Sequence, residues 1–380
     1  MVSRKVATFV ASAAIVFAAC SNTGTGSAAP ASAGAPASAG APASAGSGGG
    51  ASAPATGCKV GVSFNNYQEP RWAKWDEPAI KAAVAAGGGT YDSNDAKSST
   101  ATQQSNVETL IANGAKVVII LAQDGTAIKP AVTAALNAGI PVIAYDRLIE
   151  DPKVLYITFD NVLVGNLQAT AIFAAKPTGT YAVIKGNKAD ANADFLRSGM
   201  DQVIKSAVDS GAIKIPAGNE VYTDNWTPAL AQTEMEQILT ANNNKIDAVL
   251  SENDGMAGGV IAALKAQGLA GTVPVSGQDG DADALNRVAL GTQTVDVWKD
   301  ARMLGKAAGD AAIALCANPD TSKISGAAPF TTPGKNTISS ILLKPDPITK
   351  ANLKDVLDAG WIDKATLCKD VKAGTVPDCG

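Results

Sequence analysis

Two doubly wound α/β units in tandem are the fold class this sequence predicts, and three observations carry the expectation. From Cys58 to Gly380 short apolar runs alternate with segments of helical spacing. The roughly 320 residues involved exceed what one hydrophobic core usually serves. The apolar runs are continuous rather than alternating, as in strands buried on both faces of a parallel sheet.

In the first unit strands are predicted over 59–64, 117–122, 141–145 and 154–159, with helices over 78–86, 102–113 and 127–138. Gly87, Gly114 and Gly139 follow the helices where a left-handed residue closes the last turn. The second unit repeats the rhythm, with strands over 180–185, 219–223, 248–251, 273–277 and 292–298. Its connecting helices are expected over 162–174, 194–210, 228–241, 256–267 and 282–290.

Ligands of such sheets bind beyond the carboxyl ends of the strands. The residues that close the runs are Asn65 and Asn66, Gln123 and Asp124, Asp146 and Arg147, Asp160 and Asn161 in the first unit. In the second they are the stretch 187–192, Asp224 to Trp226, Asn253 and Asp254, Gln278 and Asp279, and Lys299. Planar amides, carboxylates and guanidinium groups with tryptophan among them suit a neutral sugar. Each hydroxyl of a pyranose must find a partner when buried, paired groups grip neighbouring hydroxyls, and the C–H faces stack on indole.

Composition removes other classes. The chain has no histidine, which excludes the Ser-His-Asp triad and nearly every catalytic zinc site. A net charge of −4 with scattered Lys and Arg gives no nucleic-acid footprint. The acidic run from Asp279 to Asp283 lacks the glycine and closing glutamate of a calcium loop, so no metal and no cofactor is expected. A secreted glycoside hydrolase using two of Asp146, Asp190, Asp254 and Asp279 is the enzymatic alternative, but non-enzymatic binding is the reading adopted.

The chain begins with Arg4 and Lys5, an apolar run over 6–19 and Phe17-Ala18-Ala19-Cys20, a signal peptide over 1–20 that resembles the lipobox of bacterial lipoproteins. Lipidation is expected at Cys20, holding the protein to the outside of the cell membrane. Residues 21–57, nearly all Ala, Gly, Pro and Ser, form a tether of roughly 35 Å root-mean-square span. The other cysteines, Cys58, Cys316, Cys368 and Cys379, are even in number in an exported chain and favour two disulfides, with three pairings open.

Short blocks then carry a resemblance: Ala144-Tyr145-Asp146-Arg147, Phe159-Asp160-Asn161, 239–249 (LTANNNKIDAV), Ser276-Gly277-Gln278-Asp279 and Gly291-Thr292-Gln293-Thr294. The chain from 59 to about 360 resembles the sugar-binding proteins of bacterial ABC importers, with the type I periplasmic-binding-protein fold. That resemblance implies a monosaccharide ligand, D-xylose first and glucose, galactose, arabinose or ribose as alternatives. It implies a monomer that closes its lobes by a hinge and docks on a membrane permease.

It further implies sugar contacts from Arg71 and Trp72, from Asp146 and Arg147, from Asp190 and Asn192, from Trp226 as a second stacking face, and from Asn253, Asp279 and Lys299. The segments 63–68 and 186–194 depart from the family pattern. Family topology implies three crossings, near Asp160, near 298–299 and near 336–343, giving lobes of 58–160 plus 299–336 and of 161–298 plus 337–380. A helix over 301–316 would return to the first lobe, pairing Cys58 with Cys316 and leaving Cys368 for Cys379.

Overall fold

The chain passes three times between two sheets in the computed structural model, which describes residues 57–380. The expected signal peptide, the lipidation site Cys20 and tether residues 21–56 lie outside the described residues. The first passage through the chain gives β1 (Lys59–Phe64), α1 (Glu77–Ala86), β2 (Thr90–Asp95), α2 (Thr100–Ala112), β3 (Val117–Ile120), α3 (Lys129–Asn137), β4 (Val142–Tyr145) and β5 (Leu155–Phe159). Next come α4 (Asn161–Ala175), β6 (Gly179–Lys185), α5 (Ala191–Asp209), β7 (Ile213–Lys214), β8 (Glu220–Tyr222), α6 (Pro228–Ala241), β9 (Ala248–Ser251), α7 (Asp254–Ala266), β10 (Ser276–Gln278), α8 (Ala282–Leu290) and β11 (Val295–Trp298). The chain then adds α9 (Ala301–Ala317), β12 (Ala328–Thr331), β13 (Thr337–Leu343), β14 (Asp346–Ile348), α10 (Lys354–Asp358) and α11 (Lys364–Leu367).

The first sheet runs β12-β13-β5-β4-β3-β1-β2. Its interior strands are apolar and buried on both faces, with α1 and α9 covering one face and α2 and α3 the other. Strand β2, which apolar patterning missed, reads TYDSND: as the sheet edge it has only one neighbour to pair and part of its surface in water.

The boundary expected at 336 is corrected by β13. This strand pairs in parallel with β5, Ser339 beside Leu155 and Leu343 beside Phe159, so 337–343 belongs to the first lobe. Ile338 alternates inward from the sheet and joins the core beneath α2 and α3. The third crossing therefore falls at Lys344 and Pro345. In the second lobe β6 is flanked by β8 and β9, β9 reaches β10 through a Val249–Val275 bridge, and β11 lies beside β10. Both sheets end in an antiparallel strand, β12 on β13 and β14 on β11.

Disulfides join Cys58 to Cys316 and Cys368 to Cys379. The first ties the start of β1 to the end of α9, with Cα atoms 5.9 Å apart across a sequence separation of 258 residues. Among the described residues no helix is long and apolar enough to cross a membrane.

Candidate functional site

The carboxyl ends of both sheets face one pocket between the lobes, the place where such sheets bind small molecules. Nine of the ten sequence-predicted residues line it: Trp72, Asp146, Arg147, Asp190, Asn192, Trp226, Asn253, Asp279 and Lys299. Asn66, Gln68, Glu69, Asn225 and Gln278 complete the wall. Asn66, Asn225 and Gln278 are legible as strand-closing polar residues; Gln68 and Glu69 carry no such signal, lying in a loop beyond the end of β1.

Arg71 is the exception, and its expected place in the wall is corrected. It is 1% exposed and stands behind the wall. Its Nε and Nη2 donate to the two oxygens of Asp76, at 3.0 and 2.8 Å, and Nη1 donates to Asp279 Oδ1 at 3.0 Å. Nη2 also lies 3.3 Å from Asp146 Oδ2. One guanidinium thus positions a carboxylate from each lobe and spreads over the Trp72 ring, 4.3 Å from its centroid. Burial works against that charge, yet Asp76, Asp146 and Asp279 hold its pKa well above the usual arginine value. The turn that presents Trp72, over Trp72–Asp76, is π-helical, a form concentrated at functional positions.

On the first lobe Asp146 follows β4 with φ 61°, outside the region natural to a side-chain-bearing residue. Hydrogen bonds to its backbone hold it there. Its N–H donates to Ile157 O at 2.8 Å, and its carbonyl accepts from Thr158 Oγ1 at 2.8 Å and from Asn192 Nδ2 of the second lobe at 3.1 Å. Arg147 beside it meets Asp190 of the second lobe, Nε to Oδ2 3.0 Å.

The second lobe builds its face from helix beginnings. Asp190 is the N-cap of α5, accepting from Asn192 N at 3.0 Å, and Asn253 is the N-cap of α7, accepting from Met256 N at 3.0 Å. Burial raises Asp190, against the pull of Arg147. Burial also works to raise Asp279, but Lys299, 3.3 Å away, and Arg71 overcome it and hold its pKa below the ordinary value.

Trp226 enters on a loop in which Asn225 and Trp226 itself take φ of 54° and 57°. Its ring passes over Gly186, where a Cβ would come within 2.1 Å of Cζ2. Gln123 Nε2 of the first lobe donates to Asn225 Oδ1 at 2.6 Å and steadies that loop. Trp226 Nε1 and Gln278 Oε1 are buried on the wall with no hydrogen-bond partner in the protein. The arrangement supplies donors, acceptors and two indoles around one pocket.

Comparison with known proteins follows the same lines. A family model described as a periplasmic binding protein domain matches residues 60–320. The D-xylose-binding periplasmic protein of Escherichia coli K12 is 39% identical over 307 residues, covering 80% of this chain and 91% of that protein. The multiple sugar-binding periplasmic receptor ChvE of Rhizobium radiobacter is 34% identical over 332 residues, covering 82% and 92%. Among solved structures, a carbohydrate transporter solute binding protein from Chloroflexus aurantiacus in complex with D-glucose superposes with a TM-score of 0.74. It is 29% identical, with 82% of this chain and 98% of that one covered.

Proposed function

The chain belongs to the periplasmic binding protein family, among the sugar-binding proteins of ABC transporters and not among enzymes, and on that premise we propose that it captures D-xylose between its lobes by hinge closure and passes it to a permease. The observation that carries this is the pocket between the lobes, walled from both by amides, carboxylates, Arg147 and Lys299 between two tryptophans. Asp146, Asp190, Asn192, Asn253, Asp279, Arg147 and Lys299 hold the hydroxyls, Trp72 and Trp226 cover the C–H faces, and Arg71 orients Asp146 and Asp279 from behind. Xylose rests on the identity to the E. coli xylose-binding relative.

A second reading keeps the role and changes the aldose. The glucose-bound Chloroflexus structure and the multiple-sugar receptor favour it, since relatives of comparable coverage hold other sugars. In both readings one chain completes the cavity, so it acts as a monomer, and a lipid on Cys20 with the tether behind it keeps the body near the permease.

Calorimetric titration with D-xylose, D-glucose, L-arabinose and D-ribose tests both. Xylose preferred at least tenfold over glucose, about 1.4 kcal/mol, supports the first reading; glucose preferred moves the ligand; no heat with any sugar overturns the sugar site.

A further inference from the structure

Trp72 and Trp226 line the pocket, but the chain's other tryptophans, Trp75, Trp298 and Trp361, do not. They meet in one cluster at the seam of the lobes. Trp75 comes from the first lobe, on the turn that also carries Trp72, and its ring stacks on Trp361 with centroids 4.6 Å apart and planes 20° from parallel. Trp361 lies between α10 and α11 of the second lobe and is 3% exposed. Trp298, the last residue of β11, meets it edge-on at 5.5 Å. Arg302 of the first lobe lies over both stacked rings, its guanidinium 5.4 Å from the Trp75 centroid and 5.3 Å from that of Trp361. The same guanidinium donates from Nη1 to Ala359 O of the second lobe at 2.8 Å.

The indole N–H of Trp361 leads out of this cluster toward the pocket. It donates at 2.5 Å to the carbonyl of Gly280, the residue after Asp279. Asp279 lines the pocket with a φ of 105°, and Gly280 follows with 83°. A side-chain-bearing residue keeps such a backbone only where its surroundings over-determine it. Here Asp279 N–H donates to Val297 O at 3.2 Å, and Gly280 N–H is shared by Asp254 Oδ2 and Asp296 Oδ1, both at 3.1 Å. The peptide that follows is pinned from both sides: its N–H, of Asp281, donates to Asp254 Oδ2 at 3.0 Å, and its carbonyl is the one Trp361 holds. A Cβ on Gly280 would come within 2.4 Å of Trp298 Cδ1 and 3.1 Å of Trp361 Nε1, so the two rings leave room for glycine alone. Trp298 Nε1 has no hydrogen-bond partner among the described residues. Of the two indoles against Gly280, Trp361 is therefore the one that fixes a polar group.

This backbone decides where the Asp279 carboxylate points. Arg71 Nη1 and Lys299 Nζ both meet Oδ1, at 3.0 and 3.3 Å, which leaves Oδ2 for a ligand. The first lobe thus bears on Asp279 by two routes from one short stretch of chain. Arg71 reaches the carboxylate directly, and Trp75 reaches the backbone through Trp361 and Gly280.

We propose that Trp361 is a positioning residue of the sugar site: seated against Trp75 of the first lobe, its N–H fixes the Gly280 peptide and so aims the Asp279 carboxylate at a sugar hydroxyl. This rests on the sugar reading above.

The test is a double-mutant cycle on D-xylose and D-glucose affinity, measured by calorimetry on the unaltered protein, Trp361→Phe, Asp279→Asn and the two combined. Trp361→Phe keeps an aromatic ring and removes the N–H donor. Binding about three- to tenfold weaker is expected, the worth of one hydrogen bond, with no further loss when the change is added to Asp279→Asn. A ring that served packing alone would weaken binding by the same factor in both backgrounds, so factors that multiply overturn the proposal, as does unchanged affinity in Trp361→Phe. If Trp361→Phe does not fold, Trp75→Leu, at a half-buried position, takes its place in the cycle with the same expected non-additivity. If Asp279→Asn binds too weakly to measure, monodeoxy-xyloses replace it. The Trp361→Phe deficit should then vanish for the analogue lacking the hydroxyl that Asp279 holds, and an equal deficit for every analogue overturns the proposal. No binding of either sugar by the unaltered protein overturns the sugar reading and this proposal with it; the other adverse results leave that reading standing.

Discussion

Asp146 and Arg147 of the first lobe are held by other side chains and by the opposite lobe, whereas Asp190 and Asn253 of the second are held by helix backbones. Asp146 sits in left-handed backbone, kept there by Thr158 and Asn192 and faced by Arg71. Asp190 and Asn253 cap α5 and α7 and line the cavity at once. The second face is therefore part of its lobe's fold, while the first is completed only when the lobes meet. Substitutions on the two sides should separate stability from affinity.

The harshest way to break the first face is Arg71→Met. Removing the guanidinium leaves Asp76, Asp146 and Asp279 buried without their shared cation, and a loss of about 3–5 kcal/mol in unfolding free energy is expected by chemical denaturation. Burial already raises Asp76 to about 6 with Arg71 present; without Arg71 it binds its proton more readily folded than unfolded, so the deficit should shrink as the pH is lowered.

On the second face Gly186→Ala should press the Trp226 ring out of the cavity. Sugar affinity should fall by tenfold or more, about 1.4 kcal/mol, with a packing cost of about 1–3 kcal/mol visible in the melting curve. Asn253→Ala sharpens the contrast: it removes the cap of α7 and the donor to Glu69. A stability loss of about 1 kcal/mol is expected together with weaker sugar binding. Arg147→Lys is the smallest change. It keeps the charge and loses the planar fork that meets Asp190, so calorimetry should record weaker binding while stability stays within about 0.5 kcal/mol. Equal stability losses in Asn253→Ala and Arg147→Lys would erase the proposed difference.

Strands β1 and β9 and helices α6 and α8 have the boundaries their patterns predict, because apolar runs and helix stops are local signals. The polar residues closing the strands mark most of the cavity wall for the same reason. What local pattern does not carry is the partner of each group. TISSILL, expected only as a crossing between lobes, forms a strand whose place beside β5 depends on a pairing with residues nearly two hundred positions earlier. Arg71 belongs to a sugar-site motif, yet three carboxylates from distant segments draw its guanidinium behind the wall. Glu69 becomes notable only when the fold sets its carboxyl against Asn253 of the second lobe.

The cysteines also carry an order. From Cys58 onward no other cysteine intervenes before Cys316, and Cys379 is the next after Cys368. Each disulfide therefore joins neighbours in the sequence of thiols. An oxidant meeting the chain as it emerges from its N-terminal side joins Cys58 to the first free thiol that follows, and that thiol is its native partner; the tail then closes on itself. A chain oxidised in that order reaches its native pairs without thiol exchange. Within the first lobe, Cys58 waits through the synthesis of residues 161–298 of the second lobe before its partner arrives.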